Sequence, residues 1–460
     1  MSKELSTYKF KGENGRDEFK REPIAEKIIT LLMSSIDLSP MIIDGDWGTG
    51  KSEFCHKLIN KFKDEHSDDG QIIYIDAFKA DHADNPLMTI LAEIMELLPE
   101  VDKPTFIKKV LPFLRYTIKT AAKAGVSHIL KENADDIADE FEASIQDAAN
   151  TAIDATVTSL LKDHAEAEQN LKTLQSLLEE LAKDKPIIIF IDELDRCRPD
   201  FSVHMLEVIK HTFNVKNVKF ILVTNTTQLK AAINHAYGSS INASRYLDKF
   251  IKFTIALPDK FDVHYNEAQI TSVEHFNNLL SKSSILQGTT LVKVNNGYPS
   301  PAIYIAHKLI ETKKLSLREV ETFTRYIEVL TSLDSNMANI NHGYLALYIT
   351  AIYINCFETE LSQDIYSQKV DANKIYSIFS INPTEDIQDS WPNFFVVLLA
   401  SHAQINAQHA IDYIEQYEQN DKNGYNQSIV RTIFNTPYDF YGRSYFAPIL
   451  EVLNTLQLSK

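Results

Sequence analysis

Three glycines and a Lys-Ser pair fall within eight residues in the stretch GDWGTGKS, which starts at Gly45. Glycines let a loop fold so that its backbone N–H groups converge on phosphate oxygens, and a following helix adds its positive N-terminal end. In the pattern G-x-x-x-x-G-K-[ST], Lys51 reaches the β- and γ-phosphates and the Ser52 hydroxyl ligates Mg²⁺. The alternative is a chance match in a glycine turn. The predicted ATP-binding residues are Gly45, Asp46, Trp47, Gly48, Thr49, Gly50, Lys51, Ser52 and Glu53.

A second candidate site follows an unbroken apolar run. The residues from Ile187 to Ile191 are all large and apolar, and Asp192 and Glu193 come directly after them. Such a run suits a central parallel strand that is buried on both faces. We expect Asp192 to hold Mg²⁺ through water and Glu193 to polarise the attacking water. The alternative is an ordinary strand that ends in a polar helix cap.

The elements that must position these residues are strands and helices in alternation. Five strands are predicted in the stretches PMIID, QIIYIDAF, KPIIIFID, VKFILVTN and FIKFTIAL, and SEFCHKLINKF has helical spacing. A strand between the P-loop strand and the acidic strand, with Glu next to Asp, suggests the additional-strand, catalytic-Glu division of P-loop NTPases. Asn225 follows a strand, where its side chain could lie between the γ-phosphate and the attacking water. A turn-forming Asn is the alternative.

These residues resemble the KAP family of P-loop NTPases. The resemblance rests on GDWGTGKS, IDELDRCRPD and RYLDKFIKFTIALP, together with RDEFKREPIAEKI upstream, and it spans about residues 16–325. It implies an ATPase module related to the signalling and AAA+ ATPases, with Asp192 on magnesium and Glu193 as the catalytic acid. The family more often has Asp at the second position. Many members also carry transmembrane helices between the P-loop and the acidic strand, and this chain has none there.

The resemblance also implies arginines that act on the γ-phosphate. RYLDKF occupies the place where related ATPases present an arginine to a neighbouring subunit, which makes Arg245 the candidate, with Lys249 or Arg196 as alternatives. A surface cation that pairs with Asp248 is the other interpretation of Arg245. LSLREVETF is similar to the segment that carries a second phosphate-sensing arginine. Arg318 would lie there in the first turn of a helix capped by Ser316, or it is a plain surface arginine.

The predicted fold is an α/β P-loop NTPase with a central, mainly parallel five-stranded sheet flanked by helices. Residues 1–99 and 184–260 form the core, and residues 100–183 form a helical insertion without transmembrane segments. A helical lid over 261–335 and a helical C-terminal domain over 336–460 complete the chain, so that the C-terminal region is all-helical.

The insertion contains two patterns that allow more than one interpretation. TFIKKVLPFLRYTIKTAAKAGVSHIL is basic and amphipathic, with Pro112 expected to break it into two helices. It either lies on an anionic membrane surface or covers its own core or a partner, and we favour the second. An acidic stretch, NADDIADEFEASIQD, could pair with it. A second pattern is a stripe of residues with 4-3 spacing, which predicts a coiled coil or, preferably, a helix packed on the sheet. The stripe consists of Leu160, His164, Ala167, Leu171, Leu174, Leu178 and Leu181.

Composition sets the remaining expectations. The 460 residues carry a formal net charge of -17, which argues against nucleic acid as the main partner. The cysteines Cys55, Cys197 and Cys356 lie far apart, as is typical of a reducing compartment. The first residues are polar, and no apolar run approaches the roughly 20 residues that span a bilayer. A cytoplasmic protein is therefore expected.

The sequence favours an ATP-hydrolysing regulatory or assembly switch that works as a homo-oligomer or with a protein partner. The family resemblance permits a role in bacterial anti-phage defence or plasmid-encoded exclusion. The alternative is a scaffold that binds ATP with negligible turnover. A nucleic-acid motor is disfavoured by the acidity and by the absence of helicase motifs.

Overall fold

The computed structural model describes the chain in two compact units, Met1–Pro258 and Asp259–Lys460. The described residues are 8–12, 15–83, 85–123, 157–262, 268–293, 300–334, 337, 339–382, 391–420, 434 and 444–457. At residues 83, 115–123, 157–167 and 416–420 only the backbone is described.

The first unit is built on one five-stranded sheet in which all neighbouring strands are parallel. Its strands are β1 Met41–Asp44, β2 Gln71–Asp76, β3 Ile187–Asp192, β4 Val218–Thr224 and β5 Phe253–Ala256. They lie in the order β2-β3-β4-β1-β5. The predicted parallel sheet is confirmed, and β4 is the strand that lies between the P-loop strand and the acidic strand.

Helices cover both faces of this sheet. They are α1 Glu22–Met33, α2 Lys51–Glu65, α3 Ala77–Ala80, α4 Pro86–Met95, α5 Lys103–Lys123, α6 Val157–Leu181, α7 Pro199–Thr212, α8 Thr226–Tyr237 and α9 Ala243–Leu247. One core joins α1 and α2 to one face of the sheet, and a second core joins α4 to α9 to the other. Every residue of β3 is buried, because both faces of that strand are covered.

The prediction that Pro112 breaks the basic stretch is wrong. The helix α5 continues through Pro112 from Lys103 to Lys123. A proline inside a helix removes one backbone hydrogen bond, but burial of an apolar face can outweigh that loss. Phe106 and Val110 are buried in the core on this side of the sheet, whereas Lys108 and Lys109 are exposed. The described apolar side chains of α5 therefore cover the protein's own core, as we favoured.

The stripe on α6 packs on the sheet where its side chains are described. Leu174 and Leu178 are fully buried in the same core as Ile187 and Ile189 of β3, and Leu171 packs against that core. This agrees with the preferred interpretation of a helix that covers the sheet. The side chains of Leu160, His164 and Ala167, and the acidic stretch over residues 133–147, lie outside the described residues.

The second unit is helical, with one departure from the prediction. Its helices are α10 Thr271–Lys282, α11 Pro301–Thr312, α12 Leu317–Leu333, α13 His342–Phe357, α14 Thr359–Tyr366, α15 Ala372–Ile378, α16 Trp391–Ser401, α17 Gln408–Asn420 and α18 Phe446–Leu456. Two short antiparallel strands, β6 Lys260–Asp262 and β7 Ala268–Ile270, precede them. The prediction of an all-helical C-terminal region is therefore wrong at this strand pair, since three-residue strands are too short to show a period of two.

Burial explains the apolar sequence of the second unit. Gly343 and every residue from Leu345 to Ile354 of α13 are buried, which makes it a core helix that is apolar all round.

In the part of the chain that the structure describes, no helix is long and apolar enough to cross a membrane.

Candidate nucleotide site

The loop between β1 and α2 needs glycine at defined positions. Gly48 and Gly50 have φ angles of 75° and 81°, in the left-handed region that glycine adopts without steric cost. A Cβ atom on Gly45 would lie 2.9 Å from Thr49 Oγ1, so a side chain there would displace the Thr49 side chain. Gly50 is the residue at the N-terminal end of α2. The three glycines therefore shape a tight loop that leads directly into the positive end of a helix.

Lys51 lies over this loop. Its Nζ donates hydrogen bonds to the carbonyl oxygens of Gly45 at 2.6 Å and Asp46 at 3.0 Å. Burial lowers the pKa of Lys51, and the nearby carboxylates of Asp195, Asp192 and Asp44 act in the opposite direction. The ammonium group is thus a buried cation beside the loop backbone. A group with this placement can exchange loop carbonyls for the oxygens of an anionic ligand.

Asp192 and Ser52 meet next to Lys51. Asp192 is only 1% exposed, and burial raises the pKa of its carboxyl group to about 6. Hydrogen bonds from the Ser52 hydroxyl, the Glu193 N–H (2.8 Å to Oδ1) and the Tyr74 hydroxyl (3.1 Å to Oδ2) act against that rise. A hydroxyl and a carboxylate in contact are hard oxygen donors of the kind that Mg²⁺ takes. The residues present therefore fit the predicted metal.

Glu193 lies at a sharp turn of the backbone. Its φ and ψ angles are 61° and 24°, a left-handed conformation that is uncommon for a residue with a long side chain. Its Oε1 forms an ion pair with Nη1 of Arg196 at 2.9 Å. Within the described residues, the second carboxylate oxygen makes no hydrogen bond. Strained backbone of this kind clusters at functional sites, where the surrounding structure holds it in place.

Asn225 caps a helix and also contacts the glycine loop. Its Oδ1 caps α8 by accepting hydrogen bonds from the N–H groups of Thr227 (2.9 Å) and Gln228 (3.2 Å). Its Nδ2 donates to Oδ1 of Asp46 at 3.2 Å. Because the cap fixes the side chain, the amide N–H₂ group is directed at the glycine loop.

Asp195 is a site residue that sequence reasoning missed. Its Oδ2 accepts a hydrogen bond from Nε1 of Trp47 at 2.5 Å, and its Oδ1 accepts one from Oγ1 of Thr224 at 3.0 Å. It also contributes the largest of the carboxylate effects that raise the pKa of Lys51. Asp195 therefore connects the tip of the glycine loop to the end of β4. The Asp-Arg-Cys run contained this residue, but nothing in its spacing indicated the contact with Trp47.

Asp44 and Arg21 hold the loop from its two ends. Asp44, the last residue of β1, accepts hydrogen bonds from the N–H and Oγ1 groups of Thr226, both at 2.9 Å. Arg21 is 4% exposed and donates to the carbonyl oxygens of Thr49 at 2.9 Å and Pro258 at 3.3 Å. Burial lowers the pKa of Arg21 to about 10. The strand-end argument that found Asp192 would also have found Asp44, but Arg21 has no such signal.

Trp47 and Glu53, both predicted to bind ATP, lie at the margins of the loop. The Trp47 side chain is 48% exposed, with its indole N–H on Asp195. Glu53 forms ion pairs with Lys57 at 2.7 Å and Arg16 at 3.4 Å. The side chain of Glu53 is therefore occupied by cations of α2 and of the segment before α1.

The four candidate cations have different surroundings. Arg196 forms the ion pair with Glu193 described above. Arg245 is exposed on α9, and in the described part of the chain it forms no ion pair with Asp248 or any other acid. The Lys249 ammonium lies 5.5 Å from the centre of the Tyr246 ring. In the second unit, Arg318 is exposed in the first turn of α12, which Ser316 caps as the sequence predicts, with Glu319 completing a capping box.

We expect Asp195→Ala to loosen the loop tip and to destabilise the first unit. The substitution removes the acceptor of both Trp47 and the buried Thr224 hydroxyl, and an unpaired buried donor costs about 1–3 kcal/mol. In a Trp391→Phe background Trp47 is the remaining tryptophan, because the chain has two. Acrylamide quenching of Trp47 fluorescence should increase in the Asp195→Ala variant. The urea concentration at the midpoint of unfolding of this variant should fall.

The matched control for Asp195→Ala is Asp184→Ala, which removes an exposed carboxylate from the same unit. Quenching and unfolding of Asp195→Ala that are indistinguishable from those of Asp184→Ala would contradict a role of Asp195 in the loop.

The family model of the KAP family P-loop domain matches residues 21–354, well over half of the chain. Among solved structures, the chain is similar to the ORC2 protein of Aeropyrum pernix in its ADPNP–ADP complexes. The identity is 14%, with 95% of this chain and 86% of that chain covered and a TM-score of 0.29, too low to carry weight for fold or function. No curated protein matches the chain. With its glycine loop, five-stranded parallel sheet and matched family model, the chain belongs to the KAP family of P-loop NTPases.

Proposed function

We propose that this protein binds ATP with Mg²⁺ at the glycine loop and hydrolyses it as a nucleotide-dependent regulatory switch. One observation carries the proposal: Lys51 lies on the loop carbonyls, and the hydroxyl of the next residue, Ser52, favours the charged form of the buried Asp192 by lowering its pKa. The proposed phosphate-binding cation and one proposed metal ligand thus occupy adjacent positions at the N-terminus of α2, and the other proposed ligand, Asp192, ends strand β3. That end of the helix also favours negative charge.

Ser52 and Asp192 are the residues that would hold Mg²⁺. The metal supplies charge neutralisation on the β- and γ-phosphates when bound. The chain's own part is to hold the Ser52 hydroxyl beside the Asp192 carboxylate, where it favours the charged form of that carboxylate by lowering its pKa. Burial makes the charged form of Asp192 costly in the protein alone, so a cation beside it offsets that cost.

Glu193 would orient and deprotonate the attacking water. Arg196 holds Oε1 of its carboxylate, which leaves Oε2 to accept a hydrogen bond from water. Asn225 would lie between the γ-phosphate and the attacking water, and the contact of its Nδ2 group with Asp46 of the loop supports that role. Lys51 would leave the loop carbonyls and bind the β- and γ-phosphates.

Assembly is the regulatory part of the proposal. Arg245 is an exposed cation that forms no ion pair within the described residues, so its guanidinium is available to another molecule. If it stabilises transition-state charge in a neighbouring subunit's site, hydrolysis depends on association between copies of this chain. ATP binding and association would then be thermodynamically linked, and each would favour the other.

We expect Lys51→Ala to weaken Mg-ATP binding by about 10- to 100-fold. Hydrogen bonds from a charged group are worth about 1.5–3 kcal/mol, and the variant loses those from the ammonium to the phosphates. Calorimetric titration with Mg-ATP measures the affinity, and circular dichroism checks the fold. Lys27→Ala, which removes an exposed lysine from α1, is the control. Unchanged affinity and turnover in a folded Lys51→Ala protein would refute the site.

We expect Glu193→Gln to bind ATP normally but to hydrolyse it at least ~100-fold more slowly. The amide keeps the shape of the side chain but cannot take a proton from water, and losing a positioned base has effects of this size. Phosphate release under single-turnover conditions measures the rate, with Glu180→Gln on the exposed side of α6 as control.

The same measurement separates the switch from the scaffold interpretation. Wild-type protein that binds ATP but hydrolyses it no faster than Glu193→Gln would identify an ATP-binding scaffold. Equal turnover by wild type, Asp192→Asn and Glu193→Gln would show that the acidic strand is misassigned.

We expect a mixture of Arg245→Ala and Lys51→Ala proteins to regain ATPase activity that neither has alone. A mixed interface can pair an intact loop from one copy with an intact arginine from the other. Turnover per wild-type subunit should also rise with protein concentration. Concentration-independent turnover, with mixtures no more active than the separate variants, would reject Arg245 as a residue that acts between subunits. Arg196 would then be the next arginine to test.

A further inference from the structure

Tyr74 reaches Asp192 from the neighbouring strand. In the parallel pairing of β2 with β3, Tyr74 lies opposite Phe190, and Asp76 lies opposite Asp192. Tyr74 and Phe190 belong to the core on the α2 side of the sheet, and Asp192, two residues after Phe190, points to that same side. The length of the phenol side chain allows its hydroxyl to donate to Oδ2 of Asp192 at 3.1 Å.

This hydrogen bond completes the support of the Asp192 carboxylate. The Glu193 N–H group donates to Oδ1, so each of the two oxygens has a donor that is not a metal ligand. Two donors on different oxygens fix the plane of the carboxylate as well as its position. Groups that orient a ligand in this way affect metal affinity by about 10- to 100-fold when they are removed.

The ring of Tyr74 is held by α2, the helix that also presents Ser52. The centroid of the His56 ring lies 4.5 Å from that of the Tyr74 ring. The His56 ring also stacks with the Tyr8 ring at a centroid distance of 5.9 Å. His56 is 6% exposed, and its Nδ1 is buried without a hydrogen-bond partner. His56 therefore acts on Tyr74 by packing alone. His56 lies one turn after Ser52 on α2. The same helix therefore positions both Ser52 and the ring that packs on Tyr74.

We propose that Tyr74 is the positioning residue that fixes the Asp192 carboxylate for Mg²⁺. This inference rests on the proposed function, because it concerns the same metal site. It adds a residue outside both sequence motifs, on an edge strand of the sheet. Its role is distinct from that of Ser52 and Asp192, since the phenol contacts the carboxylate and not the metal.

The test is the Mg²⁺ dependence of nucleotide binding by full-length Tyr74→Phe protein. A fluorescent ATP analogue is held at fixed concentration while Mg²⁺ is titrated, and its affinity is measured separately in excess EDTA. We expect the Mg²⁺ midpoint to rise at least ~10-fold, with the affinity in EDTA unchanged. Tyr353→Phe is the matched control, because the Tyr353 hydroxyl also donates to a carboxylate, that of Glu358, in the second unit.

Two further variants separate the hydroxyl from the packing around it. His56→Phe keeps a ring against Tyr74 and should leave the Mg²⁺ midpoint unchanged. His56→Ala removes that ring and should raise the midpoint although the Tyr74 hydroxyl is still present. Both follow from packing as the only action of His56.

Three results would overturn the inference. A folded Tyr74→Phe protein with the wild-type midpoint shows that the hydroxyl does not position Asp192. Equal loss of affinity with Mg²⁺ and in EDTA shows a general packing role. Wild-type protein whose nucleotide binding ignores Mg²⁺ refutes the metal site itself, and with it both the proposed function and the role of Tyr74. That last result is a property of the wild-type protein alone, whereas the first two are differences between variant and wild type. Failure of the proposed function can therefore be distinguished from failure of the inference about Tyr74.

Discussion

The burial of Asp192 is the constraint on which the nucleotide site depends. A carboxylate this deeply buried is unfavourable in its charged form unless hydrogen bonds or a cation compensate it. The chain meets that requirement with donors from three elements: Ser52 of α2, Tyr74 of β2 and the backbone N–H of Glu193. The same requirement leaves the residue predisposed to bind a divalent cation.

Strand order brings the other polar groups to the same edge of the sheet. Because β4 lies between β3 and β1, the carboxyl ends of these three parallel strands are adjacent. Asp44 and Thr224 are the last residues of β1 and β4, and Asp195 follows the end of β3. Thr224 donates a hydrogen bond to Asp195, and Thr226 donates to Asp44, so these bonds link each strand end to the next. Ligands of open parallel sheets bind at this edge. These hydrogen bonds connect the strand ends to one another at that edge.

The cations to which we assign roles in the first unit fall into two groups with different surroundings. Lys51 and Arg21 are buried, and both donate to backbone carbonyls of the loop, so their charges are part of its structure. Arg245 is exposed and unpaired within the described residues, and its charge is directed at solvent. A buried cation can respond only to a ligand in the loop. An exposed one can respond to another molecule, which is why we place regulation there.

The sequence by itself determined the fold class and the positions of the two motifs. GDWGTGKS and the apolar run before Asp192 are local patterns whose geometry follows from glycine conformations and from burial of a central strand. The roles of the individual site residues stay predictions. Tertiary structure decided the rest: the continuity of α5 through Pro112, the short strand pair after Pro258, and the contacts of Asp195 and Tyr74. Trp47 and Asp195 are 148 positions apart, and Tyr74 and Asp192 are 118 apart. No local spacing encodes such pairs, because only the packing of the strands and α2 determines which side chains meet.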